Sequence, residues 1–287
     1  MNRIAVVILN WNGERFLEQF LPLVVACSGD AQIAVADNGS TDGSLALLAA
    51  RFPEARVIGL PKNYGFAEGY NRALARIEAE YYVLLNSDVE VTPGWLGPLV
   101  AMLDTDRQVA AVMPKLRAQS ERTKFEYAGA SGGFIDRFGY PYCRGRILQT
   151  VEEDRGQYDD AHPVFWATGA AMAVRADLYW KAGGLDADFF AHMEEIDLCW
   201  RLKRMGFRIM VEPAAVVYHV GGGTLSSDSP HKTFLNYRNN LAMLYKNLPE
   251  DDLWWILLAR MVLDSLSAAV FLAQGKRPMM RAVWRAH

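Results

Sequence analysis

Short apolar runs alternate with amphipathic helical patterns along the first 115 residues, and this alternation constrains the fold more than any other feature of the sequence. The predicted strands are Ile4–Leu9, Ile33–Ala36, Arg56–Leu60, Tyr81–Leu85 and Val109–Met113, and the predicted helices between them are Phe16–Cys27, Ser44–Arg51, Gly69–Ala79 and Gly94–Leu103. Strands that alternate with helices are typical of a parallel, doubly wound sheet. We therefore predict an α/β fold whose ligands bind at the carboxyl ends of the strands.

Polar loops follow four of the predicted strands. They are Asn10–Gly13, Asp37–Gly43, Lys62–Gly65 and Asn86–Asp88, and their residues are mostly polar, small or glycine. Loops in these positions often carry binding and catalytic residues. We expect them to form one ligand-binding rim.

The rest of the chain is predicted to be irregular at first and then mainly helical. Residues 118–162 contain several glycines and are expected to form a long irregular excursion or a hairpin. Periodic patterns then predict strands at Ala167–Val174, Ile209–Glu212 and Ala215–Val220, and helices at Arg175–Ala182, Glu194–Met205, 233–249 and 253–274.

Composition excludes several classes of protein. Hydrophobic residues make up 51% of the 287 residues, which is too many for a disordered chain. The net charge of -3 removes the global positive field that most nucleic-acid-binding proteins use. Three cysteines without C-x-x-C spacing argue against a disulfide framework and a structural zinc site, and favour a reducing, cytoplasmic compartment.

Two tests address membrane targeting. The N-terminal apolar run is too short for a signal peptide. No uninterrupted apolar stretch reaches the roughly 18 to 20 residues of a spanning helix. The chain is therefore not expected to be an integral membrane protein.

The loop after the second predicted strand allows two interpretations. Ser40, Thr41 or Asp42 could accept hydrogen bonds from the first N–H groups of the following helix. Asp37, at the strand end, could instead accept a hydrogen bond from an N–H group of a pyrimidine base. The two roles are compatible.

Asn86–Asp88 places a carboxylate at the end of another strand. Asp88 could be a turn or helix-cap residue, which is a common use of aspartate. A carboxylate that faces a diphosphate requires a divalent cation between them, and Mg²⁺ or Mn²⁺ typically uses one or two carboxylates plus phosphate oxygens. Asp88 is then a predicted metal ligand.

Acidic residues cluster at the start of the predicted helix Glu194–Met205. Helical spacing places Glu194, Asp197 and Arg201 on one stripe, where Asp197 and Arg201 form an i,i+4 pair. The helix dipole alone favours acidic residues in a first turn. Neighbouring carboxylates also raise one another's proton affinity, which suits a general base.

His219 ends a predicted strand and precedes Gly221–Thr224. A lone histidine is more often structural than a ligand. The glycines would let backbone N–H groups approach an anion closely, so a diphosphate or a metal beside His219 is a second interpretation.

Six motifs, in order, resemble the family 2 glycosyltransferases, especially their bacterial rhamnosyltransferase-like branch. They are Val6–Gly13, Asp37–Gly43, Asn63–Ala67 with Asn71, Leu84–Asp88, Gly183–Asp186 and Glu194–Arg201, and the similarity runs over most of residues 4–245. The resemblance implies a GT-A fold, a nucleotide-diphosphate-sugar donor such as dTDP-rhamnose, a divalent cation (Mg²⁺ or Mn²⁺) and inversion at the anomeric carbon. It also implies a saccharide or lipid-linked acceptor in surface polysaccharide biosynthesis.

The resemblance also implies roles for individual residues. Asp88 and His219 are the expected metal ligands, although the D-x-D-like motif here has a single carboxylate. Glu195 occupies the position of the catalytic base, where the family usually has aspartate, and Glu194 and Asp197 are alternatives. The expected donor-binding residues are Asn10, Asp37, Asn38, Asn63, Ser87, Asp88 and Arg201.

The implied domain organisation has two parts. Residues 1–232 are expected to form a GT-A catalytic domain on a single Rossmann-like, doubly wound mixed sheet, with a nucleotide-binding half at 1–115 and an acceptor and catalytic half at 116–232. Residues 233–287 are expected to form a C-terminal helical extension.

The C-terminal extension allows two interpretations of its surface. Leu253–Ala273 is almost entirely apolar, and four basic residues follow it without an acidic one: Lys276, Arg277, Arg281 and Arg285. This pattern favours peripheral attachment to the inner face of a membrane. The alternative is a helix that packs on the catalytic domain or in a homodimer. The last residues show no clear helix cap, so the sequence is also expected to be truncated.

Other classes of function fit less well. A sugar nucleotidyltransferase should have a glycine-rich, arginine-containing loop after its first strand, and Asn10–Gly13 is not such a loop. An NAD-dependent oxidoreductase needs G-x-G-x-x-G there. A non-catalytic nucleotide-sugar-binding protein would be expected to lose the acidic cluster, which is intact.

Overall fold

The computed structural model describes residues 2–147, 150–221 and 229–287. Its main sheet is mixed, with strands β1 Asn2–Asn10, β2 Gln32–Asp37, β3 Arg56–Gly59, β4 Ala79–Asn86, β5 Val89–Val91, β6 Val109–Ala118, β11 His162–Val164, β12 Ala171–Arg175 and β13 Arg208–His219. A second, small antiparallel sheet contains β7 Gly133–Ile135, β8 Pro141–Cys143, β9 Arg146–Ile147 and β10 Thr150–Val151. The helices are α1 Glu14–Cys27, α2 Ser44–Arg51, α3 Gly65–Leu74, α4 Leu96–Thr105, α5 Ala176–Lys181, α6 Glu194–Arg204, α7 Pro230–Asn247, α8 Glu250–Ala273 and α9 Arg277–Ala286.

The first half of the sheet has the predicted parallel arrangement. Strands lie in the order β3-β2-β1-β4, and each pair is parallel. The apolar residues Ala5–Ile8 of β1 are all buried. Because successive side chains point to opposite faces of the sheet, the strand is covered on both faces. The helix predicted at Gly69–Ala79 has different bounds in the structure. α3 begins at Gly65 and ends at Leu74, and Ala79 already belongs to β4.

The second half of the sheet makes it mixed. β12 lies between β4 and β6 and is antiparallel to both, so β6 does not pair directly with the parallel strands that precede it in sequence. The two strands predicted at 209–212 and 215–220 are one strand, β13, with a register shift between Glu212 and Val216. Pro213 lies in this bulge, where its missing N–H is tolerated. The prediction of a central mixed sheet is confirmed.

The segment 118–162 follows the hairpin alternative of the prediction, because it contains the small antiparallel sheet. A buried charge cluster ties this segment to β6: the Lys115 ammonium lies 3.0 Å from Asp154 Oδ2, and Arg117 also contacts Asp154. Asp154 is fully buried, so the two cations compensate its desolvation.

The C-terminal extension contains three helices, of which α9 was not predicted. Ser229 caps α7 by accepting a hydrogen bond from the N–H of Lys232, and Pro230 occupies the first turn. The domain boundaries predicted at 115 and 232 fall inside β6 and α7.

α8 corrects the expectation that no segment could span a membrane. It has 24 residues and is long and apolar enough to cross one, as judged by length and composition. This helix contains no long uninterrupted apolar run, because Arg260 and Asp264 divide its apolar residues.

Candidate functional site

The register of the parallel strands brings the predicted loops together. Asn10 at the end of β1 pairs with Asp37 at the end of β2, and Leu9 pairs with Asn86 of β4 on the other side. Ser87 lies next to this point, since its Oγ is within 3.3 Å of where a Cβ on Gly13 would be. Three of the four predicted loops therefore lie side by side at one edge of the sheet, and this edge is called the rim below.

Asp37 is buried and organises its own loop. Its Oδ1 accepts a hydrogen bond from Nδ2 of Asn10 at 3.2 Å, and its Oδ2 accepts one from the N–H of Ser40 at 3.1 Å. Each carboxylate oxygen has a second lone pair for a ligand. The Oδ1 atom of Asn10 is buried without a hydrogen-bond partner in the described part of the chain, and it faces the backbone of Gly13.

Asn38 and Asn63 have different environments. Asn38 is buried, and its Nδ2 donates to Asn63 Oδ1 at 3.1 Å and to the Gly65 carbonyl at 2.9 Å, while its Oδ1 accepts from the Tyr64 N–H at 3.0 Å. Nearly all of its hydrogen-bonding capacity is used to hold the turn before α3. Asn63 is only partly buried, so of the two it is better placed to contact a ligand.

Asp88 and His219 meet at the same end of the sheet. β5 pairs antiparallel with β13, which places Val89 opposite His219. His219 Nε2 lies 3.2 Å from Asp88 Oδ1, and His219 Nδ1 lies 3.3 Å from Oε1 of Glu126. Burial alone would lower the pKa of His219, but its interactions with Asp88 and Glu126 prevail and raise the pKa to about 10.

Once its Nε2 is deprotonated, His219 can join Asp88 in a donor set for a divalent cation that also binds phosphate, and the cation would displace the proton that the raised pKa of His219 retains in its absence. A carboxylate and an imidazole converge, and the outer nitrogen of the imidazole faces a second carboxylate, as is usual for metal-binding histidines. Among the residues that the structure describes, three or more His, Cys, Asp or Glu side chains do not come together as a closed metal site. Phosphate oxygens would have to complete the coordination. Of the glycine run beside His219, the residues 222–224 lie outside the described part of the chain.

Glu194 and Glu195 begin α6, directly after a strained loop. Phe190, His192 and Met193 in this loop have positive φ angles of 63°, 73° and 73°. The Oε2 atom of each glutamate is buried and has no hydrogen-bond partner among the described residues.

The two glutamates differ in accessibility and in pKa. Burial raises the pKa of Glu195 to about 7, and burial together with the charge of Glu195 raises the pKa of Glu194 well above its ordinary value. Glu194 is buried, whereas Glu195 is partly exposed. Glu195 is therefore the glutamate that a substrate can reach more easily.

The start of α6 lies near the end of β4. The N–H of Asn86 donates to the Ala170 carbonyl at 2.9 Å, and the adjacent Gly169 has its Cα beside Glu195, whose Cβ is 3.8 Å from where a Cβ on Gly169 would be. The N–H of Ala67, just after the Asn63 turn, donates to the Phe190 carbonyl at 3.3 Å. The loop before Glu194 thus lies against the turn that carries Asn63.

Asp197 and Arg201 make different contacts from the other predicted site residues. The fully buried Asp197 carboxylate accepts hydrogen bonds from Arg201 Nε at 2.9 Å, from Lys246 Nζ at 3.1 Å and from Asn247 Nδ2 at 2.8 Å. Arg201 also donates to the Gly184 carbonyl at 2.8 Å. These contacts fasten α6 to α7 and to the Gly183–Asp186 motif, which indicates structural roles for both residues.

Arg201 also lines an open cavity of about 440 Å³. Asn71, Asp186 and Lys246 contribute to the same cavity, but Asp37, Asp88 and Glu195 do not. The cavity is therefore separate from the rim.

Sequence reasoning missed two residues that support the site. Glu126 is a single carboxylate in an irregular segment, and the sequence contains no signal that pairs it with His219. Asn239 is fully buried, and its Nδ2 lies within 2.9 Å of the carbonyl oxygens of Phe189, Ala191 and His192, which share its two N–H groups. The sequence feature that could have revealed Asn239 is the run of three polar residues Arg238–Asn240 inside a predicted helix.

Solved structures with a similar fold are glycosyltransferases. The structure superposes on GalNAc-T7 with UDP, GalNAc and Mn²⁺ at a TM-score of 0.65 and 16% identity, over 85% of this chain and 48% of that one. It superposes on the mannosyltransferase PcManGT from Pyrobaculum calidifontis, in complex with GDP-Man and Mn²⁺, at a TM-score of 0.61 and 16% identity, over 99% and 85% of the two chains. The predicted GT-A fold is thereby confirmed.

Curated relatives include rhamnosyltransferases. The chain is 26% identical over 235 residues to the N-acetylglucosaminyl-diphospho-decaprenol L-rhamnosyltransferase of Mycobacterium tuberculosis, with 75% of each chain covered. It is 26% identical over 163 residues to the Rhamnosyltransferase WbbL of Escherichia coli, with 54% of this chain and 61% of that protein covered. The model of the family "Glycosyl transferase family 2" matches residues 5–183, a span that contains the whole rim from Asn10 to Asp88. Since this match covers more than half of the chain, the protein belongs to glycosyl transferase family 2.

Proposed function

We propose that the protein transfers a hexosyl group, with inversion, from a nucleotide-diphosphate sugar to an acceptor hydroxyl. The observation that carries this proposal is the position of Glu195: its Cβ lies 3.8 Å from where a Cβ on Gly169 would be, its Oε2 has no hydrogen-bond partner among the described residues, and the neighbouring Ala170 carbonyl accepts a hydrogen bond from Asn86 at the end of β4. A base and a diphosphate-binding carboxylate at the same edge of the sheet suit a direct displacement at the anomeric carbon.

Glu195 would act as the general base. Its raised pKa makes it a stronger base than an ordinary glutamate, and about half of it is ionised near neutral pH. It would take the proton from the acceptor hydroxyl as that oxygen attacks the anomeric carbon from the face opposite the leaving diphosphate. A single displacement of this kind inverts the configuration and requires no covalent intermediate.

The rim would bind the donor. Asp37 and Asn10 would contact the base, with Asn63 and Ser87 nearer the rest of the donor, and an acceptor such as Asp37 favours a pyrimidine base. The rhamnosyltransferase names of two relatives support dTDP-rhamnose as the donor to test first.

A divalent cation would be held by Asp88 and His219. The adjacent carboxylate and imidazole support this assignment, and so do the names of two similar structures that contain Mn²⁺. Such a cation supplies positive charge that stabilises the departing nucleoside diphosphate. Glu126 would hold His219 in orientation.

The acceptor would be a saccharide or a lipid-linked saccharide used for a surface polysaccharide. The decaprenol in the name of one relative supports the lipid-linked class. The reaction would then take place in the cytoplasm, at the inner face of the membrane, where both a soluble donor and a lipid-linked acceptor are accessible.

The decisive experiment is a thermal-shift screen of nucleotide-diphosphate sugars with Mn²⁺, with Mg²⁺ and with a chelator. A ligand that binds only the folded state raises the melting temperature. We expect one donor to stabilise the protein in a cation-dependent way, and Asp88→Asn to abolish the cation dependence. A shift that survives the chelator would remove the cation from the proposal. Failure of every donor to shift the melting temperature would contradict donor binding itself.

A further inference from the structure

Helix α8 presents its apolar side chains outward. Leu258 is 64% exposed, Val262 58% and Leu266 59%, and the outward row also includes Trp254, Met261 and Val270. The two charged residues in the middle of the helix, Arg260 and Asp264, are instead 1% and 0% exposed. A surface helix of a water-soluble protein has the opposite arrangement, with its apolar stripe facing the core.

The inward face of α8 is attached to the catalytic domain by a buried polar network. Arg260 pairs with Asp264 at 3.3 Å and donates to the Phe138 carbonyl at 2.9 Å, and it also contacts Asn240 of α7. The Tyr140 hydroxyl donates to Asp264 at 2.7 Å. These partners come from α7 and from the turn before β8, so the network fixes how α8 is rotated about its axis.

This attachment is incompatible with a membrane-spanning orientation. If α8 crossed a bilayer, the buried pair and the turn that contains Tyr140 would enter the hydrocarbon region. Charged side chains are costly to hold in hydrocarbon, and the irregular backbone of the turn would lose hydrogen bonds to water. An orientation parallel to the membrane plane keeps the network in the protein and places only the outward row in lipid.

The charges at the end of α8 indicate which surface it faces. Arg277, Arg281 and Arg285 follow on α9 together with Lys276, and residues 276–287 contain no acidic residue. Trp284, on the same helix, is 72% exposed. The acidic residues Glu250–Asp252 lie in the first turn of α8, at the opposite end of a helix about 36 Å long. Basic and aromatic side chains beside an apolar row match an anionic lipid surface.

We infer that the outward row of α8 inserts into the surface of an anionic membrane, with the helix parallel to the bilayer plane and the basic residues of α9 at the headgroups. The inference rests on the proposed function in one respect: membrane binding would bring the acceptor site to a lipid-linked acceptor. The binding surface itself is defined by α8 and α9.

The test is co-sedimentation of the full chain with phosphatidylglycerol-containing vesicles and with pure phosphatidylcholine vesicles. We expect the protein to bind the anionic vesicles, and Leu258→Gln with Leu266→Gln to weaken this binding by at least about tenfold, because two exposed leucines no longer enter the lipid. Leu23→Gln with Leu45→Gln changes two exposed leucines outside α8 and should leave binding unchanged. Arg277→Gln with Arg281→Gln should remove the preference for anionic vesicles.

Three outcomes would overturn the inference. The wild type could remain in the supernatant, or the α8 variant could bind as well as the wild type. Bound protein that resists both high salt and alkaline carbonate would indicate a spanning helix. A dimer that the α8 substitutions dissociate, without vesicle binding by the wild type, would assign the row to a second copy of the chain.

Donor-induced thermal shifts, measured on the same samples, separate this inference from the proposed function. Normal shifts in the α8 variant would show that the substitutions leave the catalytic domain folded. Vesicle binding without any donor shift would contradict the proposed function while supporting the membrane surface.

Discussion

The side-chain amide of Asn239 lies 2.7 Å from the carbonyl oxygen of His192, in the loop that leads into helix α6, which carries the proposed base. The same Nδ2 is 2.8 Å from the carbonyl of Phe189 and 2.9 Å from that of Ala191. One buried amide thus holds a loop in which several residues have positive φ angles, a conformation that costs on the order of 1 to 3 kcal/mol per residue. Asn239 is therefore a positioning residue for Glu194 and Glu195.

Replacing Asn239 with serine should lower kcat more than it weakens donor binding. The loop would relax and displace Glu195, and a displacement of about 1 Å can cost about a hundredfold in rate. Steady-state kinetics with a donor titration measures the two effects separately. Asn236→Ser, at a partly exposed position on the same helix, is the matched control. A variant whose donor affinity falls as much as its kcat would argue against a positioning role.

The pH dependence of turnover should report the ionisation of Glu195. Because burial raises the pKa of Glu195 to about 7, kcat should rise with pH through that value and then level off as the carboxylate forms. Glu195→Gln should lower kcat by about 10² to 10⁴-fold and leave donor binding intact. Glu194→Gln is the control, and its turnover should persist. The reverse result would identify Glu194 as the base.

The same pKa shift predicts a change in stability with pH. A carboxyl group whose pKa is raised in the folded state holds its proton more tightly there than in the unfolded chain. Its contribution to the free energy of unfolding is therefore greatest below the ordinary pKa of glutamate and declines as the pH rises toward about 7. Urea unfolding at about pH 5 and about pH 8 should show a smaller decline in Glu195→Gln than in the wild type. An equal loss of unfolding free energy between these two pH values in Glu195→Gln and in the wild type would contradict the raised pKa.

Asp197→Asn should destabilise the protein without removing catalysis. The substitution leaves Arg201 and Lys246 without the buried carboxylate that they share, and breaking a buried ion pair in this way costs about 3 kcal/mol or more. Urea unfolding measures this loss, and turnover per folded molecule should stay near that of the wild type. Asp186→Asn is the control, because its partly exposed pair with Lys246 should contribute much less. Loss of turnover in a folded Asp197→Asn protein would return this residue to the list of candidate bases.

Glu126→Gln should weaken the binding of Mn²⁺ in the presence of donor by about 10 to 100-fold, since residues that orient a metal ligand have effects of this size. The reason is its contact with His219 Nδ1, which directs the other imidazole nitrogen toward Asp88. Electron paramagnetic resonance of free Mn²⁺ gives the affinity without relying on turnover. Glu90→Gln, which removes a carboxylate paired with Arg122 instead, should leave the affinity unchanged. Unchanged Mn²⁺ binding in Glu126→Gln would show that His219 needs no such support.

Local sequence patterns were enough to predict the parallel half of the sheet and the polar loops at its edge. Strand and helix periodicities are local properties, and parallel strands whose polar loops follow their carboxyl ends necessarily bring those loops to one edge. This is why Asn10, Asp37 and Asp88 could be predicted as neighbours of one rim. The acidic start of α6 was visible for the same reason, since helical spacing is local.

The remaining features of the fold and of the candidate site depend on contacts between distant segments of the chain. The insertion of β12 between β4 and β6, the pairing of His219 with Glu126, and the ion pairs that occupy Asp197 all join residues far apart in sequence, where local periodicity carries no information. The orientation of α8 has the same origin. Its composition is apolar on nearly every side, so the rotation of the helix depends on the partners of Arg260 and Asp264, which are supplied by the turn at Phe138–Tyr140 and by α7.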